Sequence, residues 1–486
     1  MLFKRLLATA AKSVQGPVLQ DVVIIGGGPA GLSLLAALKS SSITRNLKCT
    51  LVEGSSLEGI REFADSPPEE YTNRVVSLTP KSVEFMQSKI GNWEFMNQDR
   101  IKFYNNIIAY DSQDRTSRIV FDGSAIEAGF LAVMAENVNI QSSLLQRISQ
   151  LKEEGVDSTI LDNTKVLSIG SALKEAEAAS ESTNIMSENV ATASDWPIVN
   201  LSDGSSIQTR LLVGADGFNS PVRKYAGIQS RGWAYDRFGV VATVKLQYED
   251  YRSIGWQRFL TTGPLAILPL TEDNATIVWS STPELSEILI ACDEQIFPEL
   301  VNAAMTLDEV SLNFIYAKLK KNPNDFSVLD DIPWRQSRLK VNDLEENYPL
   351  PVTEVVPGSR ARFPLKLSHA DTYTSARIAL VGDAAHTVHP LAGQGLNMGQ
   401  GDVQALVEAI EKGVTRGMDI GSTLVLEPYT SNQWPGNHVL MGVCDKLHKI
   451  FSTDWYPIVF LRGFGMKNLN MLDFVKDMMI KNISGR

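Results

Sequence analysis

A chain of 486 residues with 44% hydrophobic and 21% charged residues has the composition of an ordinary folded enzyme. That composition excludes a fibre or a disordered chain, and the length predicts two interleaved domains. Its 45 basic against 56 acidic residues give a formal charge of −11, which repels phosphate backbones and sets nucleic acid aside as a partner.

Residues 1–20, MLFKRLLATAAKSVQGPVLQ, carry Lys4, Arg5 and Lys12, and the first acid is Asp21. This is the pattern of a mitochondrial presequence; a frayed basic tail is the other reading. Its apolar part is too short for a membrane span and too soon interrupted for a secretory core. Asp21–Ile25 then reads as a short β-branched strand, Gly26–Gly31 as a tight turn, Leu32–Leu38 as helix and Leu47–Gly54 as the next strand. Together they make a βαβ unit. Residues 22–38 form a long apolar run, but the glycines and Pro29 break it into strand, turn and helix, so no membrane span is predicted. Residues 171–195 are rich in Ala, Ser and Glu without periodicity and read as a solvated insertion.

Arg210–Gly217 and Arg377–His386 resume the first style, each an apolar strand ending in a Gly/Asp turn. Between them GVVATVKLQY, GPLAILPL and NATIVWSS alternate in polarity, which predicts an antiparallel sheet. The expected architecture is α/β. Residues 21–100, 136–225 and 373–425 build a discontinuous Rossmann-type domain, 101–135 and 226–372 an inserted antiparallel-sheet substrate domain, and 426–486 a C-terminal helical segment. Cys49, Cys292 and Cys444 lack paired spacing and read as reduced thiols in an intracellular compartment.

The first motif is Gly26, Gly27, Gly28, Pro29, Ala30 and Gly31, which fits G-x-G-x-x-G, with Glu53 lying 22 residues beyond Gly31 at the end of the next strand. Glycine permits the tight turn and the approach of a pyrophosphate to backbone N–H groups at a helix N-terminus. A carboxylate at Glu53 suits the hydroxyls of an adenosine ribose. The second and third motifs are GADGFNSPVR, Gly214–Arg223, and GDAAHTVHPLAGQGLNMGQGD, Gly382–Asp402.

This combination resembles the FAD-dependent aromatic hydroxylases related to p-hydroxybenzoate hydroxylase. The resemblance implies FAD as cofactor, with Gly382 and Asp383 at a ribityl hydroxyl and Asp216 and Gly217 near the pyrophosphate. A polyol running through a protein needs such fixed acceptors. His389–Asp402 is similar to the signature of the ubiquinone-biosynthesis hydroxylases of that group. SPPEEYTNRVVSLTP (Ser66–Pro80), LLVGADGFNSPVR, GPLAILPL and ARFPL (Ala361–Leu365) follow the same family order. The similarity runs from about residue 20 to the C-terminal segment, with 171–195 as a departure.

With the basic leader, the resemblance is to the mitochondrial branch that hydroxylates ring carbon 5 of a polyprenylated phenolic precursor, using O2 and a flavin C4a-hydroperoxide. It implies a peripheral protein on the matrix face of the inner membrane, within a ubiquinone-biosynthesis complex, with ferredoxin and ferredoxin reductase as electron donors. Only one nucleotide fingerprint is present, and it is committed to FAD. A ferredoxin is acidic, so Arg223, Lys224 and Arg231 are candidates for a basic docking patch.

The turn Pro390–Asn397 opens a helix, and its backbone N–H groups suit negative charge developing on the flavin ring. The resemblance puts Pro390, Gly393, Gln394, Gly395, Leu396 and Asn397 there. Arg74 matches a family position near the cofactor, where a guanidinium suits diphosphate or anionic flavin; a surface arginine is the other reading. His386 and His389 have no third ligand in the sequence pattern and Pro390 breaks their helix, so no metal is expected. Trp233, Trp256, Phe259 and Phe363 either line a ring or prenyl pocket or belong to a core. The C-terminal segment, with Arg462, Lys467, Lys476 and Lys481, reads either as an amphipathic helix on an anionic membrane or as a helix packed on the body. Two other functions stay open: a FAD-dependent dehydrogenase or prenyl reductase, and a non-catalytic prenyl-binding escort module.

Overall fold

The computed structural model describes residues 17–114, 116–123, 128–171, 195–339, 347–389, 393–472 and 476. The leader through residue 16, residues 172–194 of the insertion, Pro390 and Lys481 lie outside the described residues.

Val18–Ile25 is the centre of the first sheet. It pairs in parallel with Cys49–Val52 on one side and Ser206–Gly214 on the other. Thr159–Leu161 extends the sheet beyond Cys49–Val52, and Ile378–Leu380 extends it beyond Ser206–Gly214, both in parallel. The helix Pro29–Ser40 connects the first two strands, with Gly28 at its N-cap and Pro29 at its first position, where a fixed φ and a missing N–H cost nothing. Residues 32–38 of that helix are wholly buried, because strands on one face and the helices Asn137–Glu153 and Gly395–Thr415 on the other leave it no solvent face. Packing of Gly395–Thr415 on Pro29–Ser40 brings the third motif to the first.

The second sheet has nine strands. Its core runs through Ala361–Ala370, Ser230–Leu246, Asn274–Ser281, Gly263–Pro269 and Ile254–Leu260, all antiparallel as the alternation predicts. The all-antiparallel expectation fails at one place, since Ile254–Leu260 pairs in parallel with Asn106–Asp111. That strand enters from an earlier excursion of the chain, so no hairpin constrains its direction. Helices from Pro283 to Gln336 contribute to a core with Trp256, Trp279 and Phe297. A third, small sheet of Val75–Leu78, Ala132–Glu136 and Ile101–Tyr104 completes the strands.

Two long helices follow, Thr423–Phe451 and Tyr456–Met471. The last packs on Arg118–Asp122 and buries Arg462, Gly463 and Met466. The three cysteines are buried and free; burial pushes the Cys49 thiol up to about 12 and Cys292 to about 11, far from the thiolate that reactivity requires.

Candidate functional site

The three motifs meet at the carboxyl ends of adjacent parallel strands. Ala215 N–H donates to Ile25 O at 2.8 Å, and Val381 N–H donates to Gly214 O at 2.9 Å, so each turn begins where its neighbour does. Gly26 has φ +111°, and a Cβ there would lie 2.2 Å from Ala215 O. A Cβ on Gly31 would lie 2.0 Å from Gly26 O. Both glycines are therefore required by the polypeptide itself. Gly28 differs, because a Cβ there would meet nothing within 4 Å.

Glu53 closes one side of the turn, accepting Gly27 N–H through Oε2 at 2.6 Å and Ser55 N–H through Oε1 at 2.8 Å. Asp216 accepts Val222 N–H through Oδ2 at 3.2 Å, while its Oδ1 is buried with no hydrogen-bond donor among the described residues. Burial pushes this carboxyl above its ordinary value. Gly217 follows at φ +80°.

Gly382 has φ +60°, and a Cβ there would stand 3.4 Å from Ala30 Cβ, while one on Gly399 would stand 3.4 Å from Gly382 Cα. The first helix, the Gly-Asp turn and the Gly395–Thr415 helix thus touch through small residues. Asp383 presents an accessible side chain, yet surrounding protein desolvates its carboxyl and raises it, partly offset by His386. Accessible surface combined with strong desolvation describes a group inside a cleft.

Gly393 has φ +60°, and a Cβ there would sit 3.7 Å from Ser77 Cβ. The Asn397 side chain ties the turn down. It donates to Ser77 O at 2.8 Å and accepts from Thr79 N–H at 3.0 Å and Ser82 Oγ at 2.8 Å. Gln394 is buried, and Gly395 and Leu396 are half-buried.

A FAD binding domain family matches residues 333–425. A Saccharomyces cerevisiae protein named ubiquinone biosynthesis monooxygenase COQ6, mitochondrial, is 44% identical over 100% of this chain and 98% of its own length. The chain belongs to the COQ6 family of ubiquinone biosynthesis monooxygenases. The human protein of that name is 32% identical over 94% of this chain and 91% of its own. Membership makes the chain a flavin-dependent monooxygenase with FAD as cofactor.

Solved structures share the fold at low identity. Pseudomonas aeruginosa PqsL superposes with TM-score 0.63 at 19% identity, covering 93% of this chain and 100% of that one. The p-nitrophenol 4-monooxygenase PnpA from Pseudomonas putida gives TM-score 0.61 at 15% identity, covering 97% and 99%.

The residues present fit FAD in two respects. Gly28 faces open space beside the backbone of the first helix turn, which suits a phosphate. The Asp383 carboxyl, accessible at the Gly-Asp turn yet desolvated by the protein around it, is an acceptor open to a group outside the polypeptide.

Arg74 stands exposed before Val75–Leu78, the strand whose Ser77 carbonyl accepts from Asn397. The four aromatics are not brought together. Trp256 is 2% exposed and belongs to the core of the second sheet, with Arg252 lying 5.3 Å from its ring. Phe259 stacks on Phe451 at 3.9 Å. Trp233 is 48% exposed, with Lys449 Nζ 5.0 Å from its ring. Phe363 also reaches the surface, over Gly239, where a Cβ would meet its ring at 2.7 Å.

Arg223 is withdrawn as a docking residue. Its guanidinium donates to Ala384 O at 2.6 Å and Phe218 O at 2.5 Å, bracing the second motif on the third. Lys224 is exposed, and Arg231 is exposed but paired with Asp371 at 2.8 Å.

Sequence reasoning missed two clusters of histidine. His386 Nε2 lies 2.6 Å from Asp402 Oδ2 with both side chains fully buried. The rings of Tyr235, His389 and His448 meet edge-on or tilted, at centroid separations of 5.0, 5.0 and 4.8 Å. Asp402 was visible as the last residue of the third motif, but no spacing rule joins it to a histidine across an intervening turn.

Proposed function

We propose that the chain hydroxylates ring carbon 5 of a polyprenylated phenolic ubiquinone precursor. The observation that carries the reading is the convergence of the Gly26–Gly31, Ala215–Gly217 and Gly382–Asp383 turns at the ends of neighbouring parallel strands, in a chain of the COQ6 family. Bound FAD supplies the reduction of O2 and the transfer of one oxygen atom to the ring.

The chain's own residues do the rest. Gly26, Gly28, Pro29, Ala30 and Gly31 form the cradle for the pyrophosphate, and Glu53 takes the adenosine ribose. Asp216 and Gly217 flank the phosphates, and Gly382 and Asp383 hold the ribityl chain. Gly393–Asn397 put backbone N–H groups beside the ring and exclude water there, with Asn397 also securing the turn; Pro390, which has no N–H of its own, belongs to the same motif. Arg74 balances anionic charge. Trp233 and Phe363 are the aromatics with surface to offer a substrate. Residues 21–100, 136–225 and 373–425 serve as the FAD domain, and 101–135 with 226–372 as the substrate domain.

We assign the protein to mitochondria, at the matrix face of the inner membrane, within the assembly that makes ubiquinone and with the leader as transit peptide. Support for a peripheral attachment comes from the last helix. Tyr456, Phe460 and Phe464 recur every fourth residue and are exposed together with Trp455 and Leu461, an apolar face of the kind that lies on lipid. No helix among the described residues is long and apolar enough to cross a membrane. The two basic residues of this helix serve the reading in which it packs on the body, because Arg462 turns inward and Lys467 pairs with Asp114 at 2.9 Å, which leaves the apolar side as its contribution to a membrane contact. Electrons come from ferredoxin and its reductase in this reading.

The test combines two measurements. Mass spectrometry of quinone precursors in a deletion strain should show accumulation of the species lacking the ring-5 oxygen. Anaerobic stopped-flow should show fast flavin reduction with ferredoxin, its reductase and NADPH, and slow reduction with NADPH alone. A precursor already oxygenated at carbon 5 would refute the assignment, and fast reduction by NADPH alone would refute the donor.

A further inference from the structure

Asp383 sits in its cleft at the end of the Gly382–Asp383 turn, and behind that turn lies a buried polar lattice with no part in the reading above. His386 and Asp402 form its centre, 2.6 Å apart and without side-chain exposure. The same Asp402 Oδ2 accepts the Gly382 N–H at 3.0 Å. Its Oδ1 accepts from Asn437 Nδ2 at 3.1 Å, which also reaches Tyr373 OH at 3.2 Å. Tyr373 OH lies 2.7 Å from His369 Nε2.

Burial works against charge on His386, but Asp402, by charge and by hydrogen bond, outweighs it and raises the imidazole above its ordinary value. Asp402 is satisfied by three donors, while His386 Nδ1 is buried with no hydrogen-bond partner among the described residues, so the contact that fixes the pair is the one from Nε2 to the carboxylate. The amide of Asn437 interrupts a proton path from Asp402 to Tyr373, so the lattice fixes geometry rather than conducting protons.

We propose that His386 and Asp402 are a positioning pair that clamps Gly382 N–H and thereby holds the Gly382–Asp383 turn in the conformation that presents Asp383 to the cofactor's polyol. The turn needs such a clamp because Gly382, at φ +60°, has no side chain to restrict it. The inference rests on the reading of Asp383 as the ribityl contact.

The experiment measures FAD release on dilution of purified holoprotein, by recovery of flavin fluorescence, for Asp383→Ala, Asp402→Asn, His386→Ala, His386→Gln and the Asp383→Ala/Asp402→Asn double variant. Asp402→Asn and His386→Ala should each raise the FAD Kd about tenfold, the effect of one weakened charge-assisted hydrogen bond. His386→Gln keeps a donor toward Asp402 and should stay within about threefold of wild type. The double variant should bind no more weakly than Asp383→Ala alone, because the pair acts through Asp383. A general loss of structure would instead add to the Asp383 effect and would not be rescued by Gln.

Unchanged affinity in Asp402→Asn, or additive losses in the double variant, overturns the inference while leaving Asp383 in place. Unchanged affinity in Asp383→Ala overturns the ribityl assignment itself and this inference with it. Should Asp402→Asn fail to fold, the contrast between His386→Ala and His386→Gln decides: equal losses overturn the clamp.

Discussion

Arg462 and Asp111 form a buried ion pair across 351 residues of sequence, with Nε to Oδ2 at 2.6 Å and NH2 to Oδ1 at 3.0 Å. The guanidinium also donates to Ile450 O at 2.9 Å and Thr453 O at 2.8 Å, where the preceding helix runs out of backbone partners. One side chain therefore joins the last helix, the end of the helix before it and the end of the inner strand Asn106–Asp111 of the second sheet. Arg462→Ala leaves Asp111 charged and buried without its partner, which should cost about 3–5 kcal/mol. Arg462→Lys should recover only part of this, since an ammonium lacks the planar fork. Urea unfolding of the holoprotein checks both.

The same pair turns the helix so that its apolar side faces outward. Phe460→Ser with Phe464→Ser removes two exposed aromatics from a face opposite the Arg462 contact. FAD content and unfolding midpoint should stay near wild type, because neither residue is buried. The partition constant onto vesicles containing anionic lipid, measured by co-sedimentation, should fall by about a hundredfold, as burial of two aromatic rings is worth about 3 kcal/mol. Wild-type sedimentation of this variant would remove the last helix from the membrane reading.

The sequence made the βαβ unit legible because Gly26–Gly31 and Glu53 sit at separations fixed by one strand, one helix and one strand. The alternation in GPLAILPL and NATIVWSS likewise reports a sheet with two unlike faces. The parallel entry of Asn106–Asp111 was not legible, since strand direction depends on a distant crossover. Nor was the inward turn of Arg462: its partner Asp111 lies in another segment, and a basic residue among apolar ones reads equally as a membrane contact. The His386–Asp402 contact was hidden for the same reason, because it is made by folding a helix back over a turn.

Gly26, Gly28 and Gly31 look alike in the motif but differ in what surrounds them. A Cβ would strike backbone at 2.2 Å on Gly26 and 2.0 Å on Gly31, and nothing within 4 Å on Gly28. Gly26→Ala and Gly31→Ala should therefore lower the unfolding midpoint of the apoprotein, whereas Gly28→Ala should leave it unchanged. Gly28→Ala should still weaken FAD binding by crowding the pyrophosphate, and Gly28→Asp should abolish it by adding like charge. Calorimetry of apoprotein and titration with FAD separate the two effects. Equal FAD affinity in wild type and both Gly28 variants would show that the open space belongs to something else.

His389 provides a prediction about pH. The ring is buried against His448 and Tyr235, and its pKa is depressed to about 3, first by burial, then by His448, with Asp445 acting the other way. In the unfolded chain the same imidazole titrates at about 6.5. Between these values the unfolded state binds a proton that the folded state does not. Stability from the neutral ring is therefore complete above pH 6.5 and lost as pH falls toward 3, with a slope of up to about 1.4 kcal/mol per pH unit. His386 has the opposite sign, because its pKa is raised, so its contribution is present at low pH and disappears as pH rises through the folded value. Carboxylates add their own acid sensitivity, which a difference measurement cancels. The unfolding free energy of wild type minus that of His389→Phe, taken at saturating FAD, should fall from pH 7 to pH 4.5, because the variant has no proton to take up at this position. A constant difference across that range would mean that the imidazole titrates normally and that its burial is not felt.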